Sequence, residues 1–71
     1  MDLVLLNKKI AEIKIPIASI AEKMGLSRQS LYRKLRGELE FKASEMYSIS
    51  DILRLTLEEK NLIFFGIDLK R

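Results

Sequence analysis

Side chains that can bind nucleic acid are concentrated in one short segment, between Leu26 and Gly37. Arginine and glutamine can each form two hydrogen bonds to the edge of a base, and arginine and lysine also pair with phosphate. The segment contains four basic residues and no acid, which favours a phosphate-bearing partner. The side chains concerned are Arg28, Gln29, Tyr32, Arg33, Lys34 and Arg36. A solvated helix face has the same composition, so the charge run alone does not decide between the two interpretations.

Two short helices are predicted to position this segment. Apolar residues at 17, 20, 21 and 24 repeat at helical spacing, and Pro16, which has no N–H, can open a helix there. Gly25 can take the left-handed conformation that ends this helix, and Ser27 is a strong N-cap for the next one, which runs to about Arg36. Two helices joined by so tight a turn form a helix-turn-helix, predicted here over residues 17–37. The second helix of this motif enters the major groove of DNA.

Three further helices are predicted around this pair. The first and the fourth are expected over about residues 2–13 and 43–53, where apolar residues again repeat at helical spacing. Thr56 and Glu59 have the spacing of a capping box, which opens a fifth helix that ends near Ile63. The side chains expected to reach the core from the fifth helix and from the loop before the fourth are Leu39, Phe41, Leu55 and Leu62.

The composition fits one globular domain and excludes several kinds of site. A chain of 71 residues, 48% apolar and 32% charged, has room for a single core. We expect a compact all-α, five-helix domain over residues 1–66 and a short C-terminal tail over residues 67–71. Without cysteine or histidine there is no disulfide, thiol nucleophile or imidazole ligand, so no metal or cofactor is expected. Because no glycine-rich phosphate loop is present and so small a chain cannot enclose a small-molecule substrate, an enzyme is the poorest candidate.

The net charge of +3 is small but unevenly distributed. Residues 1–37 contain eight basic and three acidic side chains, whereas residues 38–71 contain five and seven. The positive charge therefore lies in the half that contains the predicted helix-turn-helix. No apolar run approaches the ~20 residues that span a bilayer, and the pattern of a secretory leader is missing. The sequence predicts no membrane partner and a cytoplasmic, nucleoid-associated location.

Over about residues 3–66 the chain resembles the Cro and repressor (XRE-like) helix-turn-helix proteins of temperate phages and bacteria. The resemblance is carried by the run IASIAEKMGLSRQSLYRKLRGELEFKASEMYSISDILRLTLEEKNLIFF. It implies a lambda-repressor-like fold, an operator of double-stranded DNA as the partner, and a role as a phage or prophage transcriptional repressor. The residues in register with the family are Ala21, Gly25, Leu26, Ser27, Leu31, Gly37, Phe41, Ile49, Ile52 and Leu53.

The same resemblance implies roles for individual side chains. The positions that face bases in the family are Ser27, Arg28, Gln29 and Arg33, often with Tyr32, and the position of Arg36 faces phosphate. Tyr32 could equally be a packing residue with its hydroxyl at the surface. Lys34 falls between the core side and the solvent side of its helix, so we expect a solvated charge or a phosphate contact rather than a base contact.

The start of the second helix departs from the pattern of the family. Many members begin this helix with Thr-Gln, whose glutamine holds a phosphate, whereas this chain has Pro16 and Ile17. Ser19 and Lys14 are the two candidates for the phosphate contact in its place, and Ser19 is the one predicted here.

The C-terminal segment is unusually apolar for the end of a chain. Ile63, Phe64, Phe65, Ile67 and Leu69 cannot all be buried in so small a core, which predicts a homodimer held by the fifth helix and the tail. The side chains predicted at its interface are Phe64, Phe65, Ile67 and Leu69. In the alternative arrangement, one or both phenylalanines fold back onto the first helix and complete the core of the monomer.

Other functions remain open at this point. Short helix pairs are common as plain αα corners, and the stretch SRQSLYRKLRG also resembles the helix-turn-helix of Fis-type regulators. Fis-type modules end soon after that helix, whereas two further helices are predicted here. A protein-interaction module, such as an antirepressor that uses the apolar tail, is the alternative from another class. A DNA-binding protein should bind duplex DNA near physiological salt, whereas an interaction module should show only weak electrostatic binding.

Overall fold

Helices make up most of the computed structural model, which describes residues 1–66. No strand occurs in this range, so the prediction of an all-α fold with five helices is confirmed. Residues 67–71, and with them the predicted tail and the predicted contacts of Ile67 and Leu69, lie outside the described residues. The elements in chain order are α1 (Leu3–Ile13), α2 (Ile17–Met24), α3 (Arg28–Leu35), α4 (Ala43–Leu53), α5 (Leu57–Lys60) and a C-terminal π-helical segment (Asn61–Phe65).

Local signals set most of the helix boundaries. The carboxylate of Asp2 accepts the Leu5 N–H at 2.9 Å, and the hydroxyl of Ser27 accepts the Ser30 N–H at 3.1 Å, as expected of N-caps. Thr56 and Glu59 form the predicted capping box. The sequence gives no comparable signal for the end of α4. Arg54 takes the left-handed conformation there (φ 53°), a position where glycine is the usual residue.

One fully buried side chain from each of five elements meets at the centre of the core. α1 packs against α3, α4 and the π-helical segment, and α2 packs against α3 and α4. An ion pair between Lys9 and Glu59 also links α1 to α5. Because five of the six elements contribute a buried side chain to the same core, α3 is held from several sides. The fully buried side chains are Leu6, Ile20, Leu31, Ile49 and Ile63.

The C-terminal segment differs from the predicted continuation of the fifth helix. Leu62, expected in the core, is only half-buried, whereas Ile63 and Phe64 are buried. A π-helical turn has i→i+5 hydrogen bonds and more residues per turn than an α-helix, so side chains after Lys60 leave the α-helical pattern. The Asp2 N–H donates to the Ile63 carbonyl at 2.6 Å and ties this segment to the start of α1.

The loop between α3 and α4 contributes to the core only in part. Phe41 is buried as predicted, whereas Leu39 is half-buried. Among the described residues, none of the helices is both long and apolar enough to span a membrane.

Candidate nucleic-acid interface

The turn between α2 and α3 is closed by backbone hydrogen bonds. Gly25 has a φ of 72°, its N–H donates to the Glu22 carbonyl at 3.1 Å, and the Leu26 N–H donates to the Ala21 carbonyl at 2.9 Å. This pair of bonds is a Schellman motif, which needs a left-handed residue at the position of Gly25. Ser27 follows at once as the N-cap of α3. The short, fully bonded turn fixes the direction in which α3 leaves α2.

Two faces of α3 have opposite character. Leu31 and Leu35 are buried against the rest of the core, as predicted. The side chains at the opposite face are exposed and form a polar surface with no acid on the helix itself. Tyr32 belongs to this surface, because 44% of the residue is accessible to solvent. The exposed residues of the surface, from the N-cap to the C-cap of α3, are Ser27, Arg28, Gln29, Tyr32, Arg33 and Arg36.

The two candidates for a phosphate contact near α2 lie in different surroundings. Ser19, in the first turn of α2, is half-buried, and its N–H donates to the Pro16 carbonyl at 3.0 Å. Lys14 is exposed at the end of α1, where it takes a left-handed φ of 59°.

Lys34 is placed differently from the sequence prediction. The residue is only 7% exposed, and its ammonium lies 3.0 Å from the carboxylate of Glu45 and donates to the Glu40 carbonyl at 2.9 Å. Glu45 is also buried and accepts the Lys42 N–H at 2.8 Å. The predicted solvated charge or phosphate contact of Lys34 is therefore wrong, because its ammonium is enclosed between α3 and α4. The sequence contained one signal for the burial of Lys34: it follows the apolar Leu31 by three residues, and residues three apart share a face of a helix.

The environment of Glu45 favours its charged form. Burial raises the pKa of this carboxyl, but the Lys42 N–H and the ammonium of Lys34 outweigh it and lower the pKa of Glu45 below its ordinary value. Glu45 is thus charged near neutral pH, and its ion pair with Lys34 joins α3 to the first turn of α4. This is a polar contact between the two helices in a core that is mostly apolar.

An acid that the sequence analysis did not single out lies beside the polar surface of α3. The carboxylate of Glu38 is 2.6 Å from Nε of Arg36 and 3.5 Å from Nε of Arg33. The hydrogen bond from Arg36, with help from Arg33, lowers the pKa of Glu38. Residue 38 follows the end of α3, and the turn at Gly37 brings its side chain to these two arginines.

The two phenylalanines of the predicted dimer contact have different positions. Phe64 is 8% exposed and belongs to the core, so its predicted place in a dimer interface is wrong, whereas Phe65 is 65% exposed. Tyr47 on α4, which the sequence analysis missed, is 73% exposed and lines the same apolar groove of about 270 Å³ as Phe65. The sequence could have indicated the exposure of Tyr47, because this aromatic residue lies outside the apolar stripe of its helix. Within residues 1–66 no three acidic side chains come together as a metal site.

Comparison with known families agrees with this geometry. Residues 6–38 match the helix-turn-helix domain of resolvase, a range that contains most of α1, all of α2 and α3, and the turn that follows. No curated protein and no solved structure matches the chain. The family match supports a helix-turn-helix DNA-binding domain, in which α2 and α3 are the two helices of the motif.

Proposed function

We propose that the protein is a sequence-specific transcriptional regulator that places α3 in the major groove of an operator. The observation that carries this proposal is the division of α3 into a buried apolar face and an exposed face of arginine and glutamine. An α-helix fits the major groove, where arginine pairs with guanine and glutamine with adenine. A helix anchored by Leu31 and Leu35 presents these donors in fixed positions, as base recognition requires.

The roles of the individual side chains follow from their positions on this face. Arg28 and Gln29, with Ser27, are at the N-terminal end of α3, which approaches the bases most closely in helix-turn-helix complexes. Arg33 and Tyr32 lie one turn further on and are assigned to bases as well. Arg36, at the C-terminal end, is assigned to phosphate, and so is Ser19 on α2. Lys34 is left out of this assignment because its ammonium is buried.

Within the helix-turn-helix proteins, we assign the chain to the Cro and repressor type and to a phage or prophage repressor. The family match ends at residue 38, and the chain continues with α4, α5 and the π-helical segment. Ile49 and Ile63 from this later part are fully buried in the same core as α2 and α3. A five-helix domain of this kind agrees better with the Cro and repressor resemblance than with a Fis-type module.

Selection of bound duplexes from a random library tests the function directly. An enriched sequence is the expected result, and a palindrome would give the symmetry of the complex as well. A library without enrichment would contradict sequence-specific binding. If binding to duplex DNA were then absent at near-physiological salt, the protein-interaction module would be the better proposal.

Arg28→Ala is expected to weaken binding to the selected duplex about 10- to 100-fold, because a good bidentate base contact discriminates by ~1 to 3 kcal/mol. Binding to random DNA should change much less, since only one charge is removed. Lys8→Ala is the matched control, because Lys8 is an exposed cation on α1 and not on α3. Titrations of both duplexes by fluorescence anisotropy give the two affinities. Equal losses on selected and random DNA would show that Arg28 does not contact a base.

The second part of the proposal is a homodimer whose interface includes Phe65. A single recognition helix reads only a few base pairs, whereas two helices related by a two-fold axis read half-sites ~34 Å apart. Phe65 and Tyr47 are large apolar side chains exposed at one groove, which is where a second copy would bury them. Ile67 and Leu69 retain their assignment to this interface as a proposal, and Phe64 does not.

Sedimentation of the intact chain and of Phe65→Glu at tens of micromolar tests the dimer. We expect a dimer for the intact chain and a monomer for Phe65→Glu, because a buried unpaired carboxylate is costly. Val4→Glu is the control, since Val4 is an exposed apolar residue on α1. This interface would be ruled out if the intact chain were a monomer and if it bound its selected duplex only as tightly as Phe65→Glu does.

A further inference from the structure

The end of α3 fixes the position of Glu38. Gly37 has a φ of 83°, its N–H donates to the Lys34 carbonyl at 3.1 Å, and the Glu38 N–H donates to the Arg33 carbonyl at 2.9 Å. These two bonds form a second Schellman motif, which folds the chain back over the last turn of the helix. The backbone N–H of Glu38 is therefore bonded to Arg33, and the carboxylate of Glu38 also lies near the side chain of Arg33.

The carboxylate of Glu38 is shared by two arginines that are assigned to DNA. It lies 2.6 Å from Nε of Arg36 and 3.5 Å from Nε of Arg33, and all three side chains are about half-exposed. An ion pair at such an exposed site contributes little to the stability of the fold. It does place a carboxylate beside the two guanidinium groups that a phosphate or a base would contact.

We propose that Glu38 is an internal competitor for DNA phosphate, which holds Arg33 and Arg36 in the free protein and thereby weakens binding to DNA of arbitrary sequence. The inference rests on the proposed function and adds to it a residue that sets the affinity for DNA. Non-specific binding comes almost entirely from cations on phosphates, so it bears the effect of an acid beside them. Binding to the operator bears the same effect, because Arg33 and Arg36 are assigned to contacts there as well.

The competition follows from the charges at the surface. A phosphate that takes the Nε–H of Arg36 must displace Glu38, and the carboxylate then remains as an uncompensated negative charge near the DNA. Both effects disfavour the complex, and both are present on any sequence. Glu38 therefore lowers the affinity for selected and for random DNA alike.

Glu38→Gln tests this proposal, with Glu40→Gln as its matched control. Both variants remove one negative charge from the loop after α3, but the carboxylate of Glu40 takes part in none of the ion pairs of residues 1–66. The Lys34 contact to residue 40 uses the backbone carbonyl and is kept in the control. Affinities are measured on a random-sequence duplex of about 20 base pairs and on the duplex selected by the wild type, over a range of salt concentrations.

We expect Glu38→Gln to bind the random duplex about fivefold more tightly than the wild type, and Glu40→Gln to bind it less than about twofold more tightly. A similar gain is expected on the selected duplex, because the same two arginines are assigned to contacts with it. Its Arg33 and Arg36 Nε–Hε resonances should shift in the free protein, while those of Glu40→Gln stay in place.

Two results would overturn the proposal in distinguishable ways. If the wild type discriminates between the two duplexes but Glu38→Gln behaves like Glu40→Gln, the competitor role is wrong and the proposed function stands. If neither the wild type nor Glu38→Gln binds duplex DNA, the proposed function is wrong and the competitor role is lost with it.

Discussion

Lys34→Met is expected to lower the free energy of unfolding by about 3–5 kcal/mol, which is the effect of leaving one member of a buried ion pair without its partner. Methionine retains a long apolar side chain, so the packing of the lysine stem is largely kept. The carboxylate of Glu45 would remain buried with the Lys42 N–H as its main partner. A domain of this size has a total stability of about 4–10 kcal/mol, so the loss is a large part of it. Urea unfolding followed by circular dichroism measures the change.

The double variant Lys34→Met with Glu45→Gln is the control for this prediction. A glutamine amide oxygen can still accept the Lys42 N–H, so the double variant removes both charges and keeps the cap of α4. We expect it to recover most of the lost stability, since no buried charge is left unpaired. If Lys34→Met alone were as stable as the wild type, the buried ion pair would not exist in solution.

The same pair makes a prediction for acid. The folded state lowers the pKa of Glu45, so its contribution to stability is complete above the ordinary pKa of a carboxyl group. It is lost as the pH falls below that ordinary value and through the lowered one. The difference in stability between the wild type and Glu45→Gln should therefore be constant near neutral pH and shrink in this acidic range. A stability difference that does not change on acidification would contradict the lowered pKa of Glu45.

The second large effect concerns two adjacent phenylalanines that differ in burial. Phe64→Ala is expected to lower the free energy of unfolding by about 3–5 kcal/mol, because it opens a cavity in the core, near Leu3 of α1 and Met46 of α4. Phe65→Ala should stay within about 0.5 kcal/mol in the monomer, since an exposed side chain loses few contacts. Each variant is the matched control of the other, because the chemical change is the same.

Unfolding at several protein concentrations separates the core from the interface. Phe64→Ala should be destabilised at every concentration, whereas any effect of Phe65→Ala should grow as the wild type is concentrated into its dimer. If the two variants lost equal stability at low concentration, the π-helical segment would not place Phe64 inside and Phe65 outside.

Comparison with the sequence shows that helix ends were the most predictable feature. Ser27, Gly25 and the pair Thr56 and Glu59 act within three or four residues of themselves, so their effect does not depend on the rest of the fold. The end of α4 at Arg54 was not signalled, because a non-glycine residue takes a left-handed conformation there. The Schellman motif at Gly37 is equally local, and it brings Glu38 to Arg33 and Arg36.

The sequence by itself determined the five helices and the polar face of α3, since both follow from capping residues and from the spacing of apolar side chains along one helix. Only the tertiary structure decided that Lys34 is buried, because its partner Glu45 lies on another helix. It likewise decided between Phe64 and Phe65, since a π-helical turn changes which side chains face α1. Charge and aromatic character are properties of a residue, whereas burial depends on what the fold packs against it.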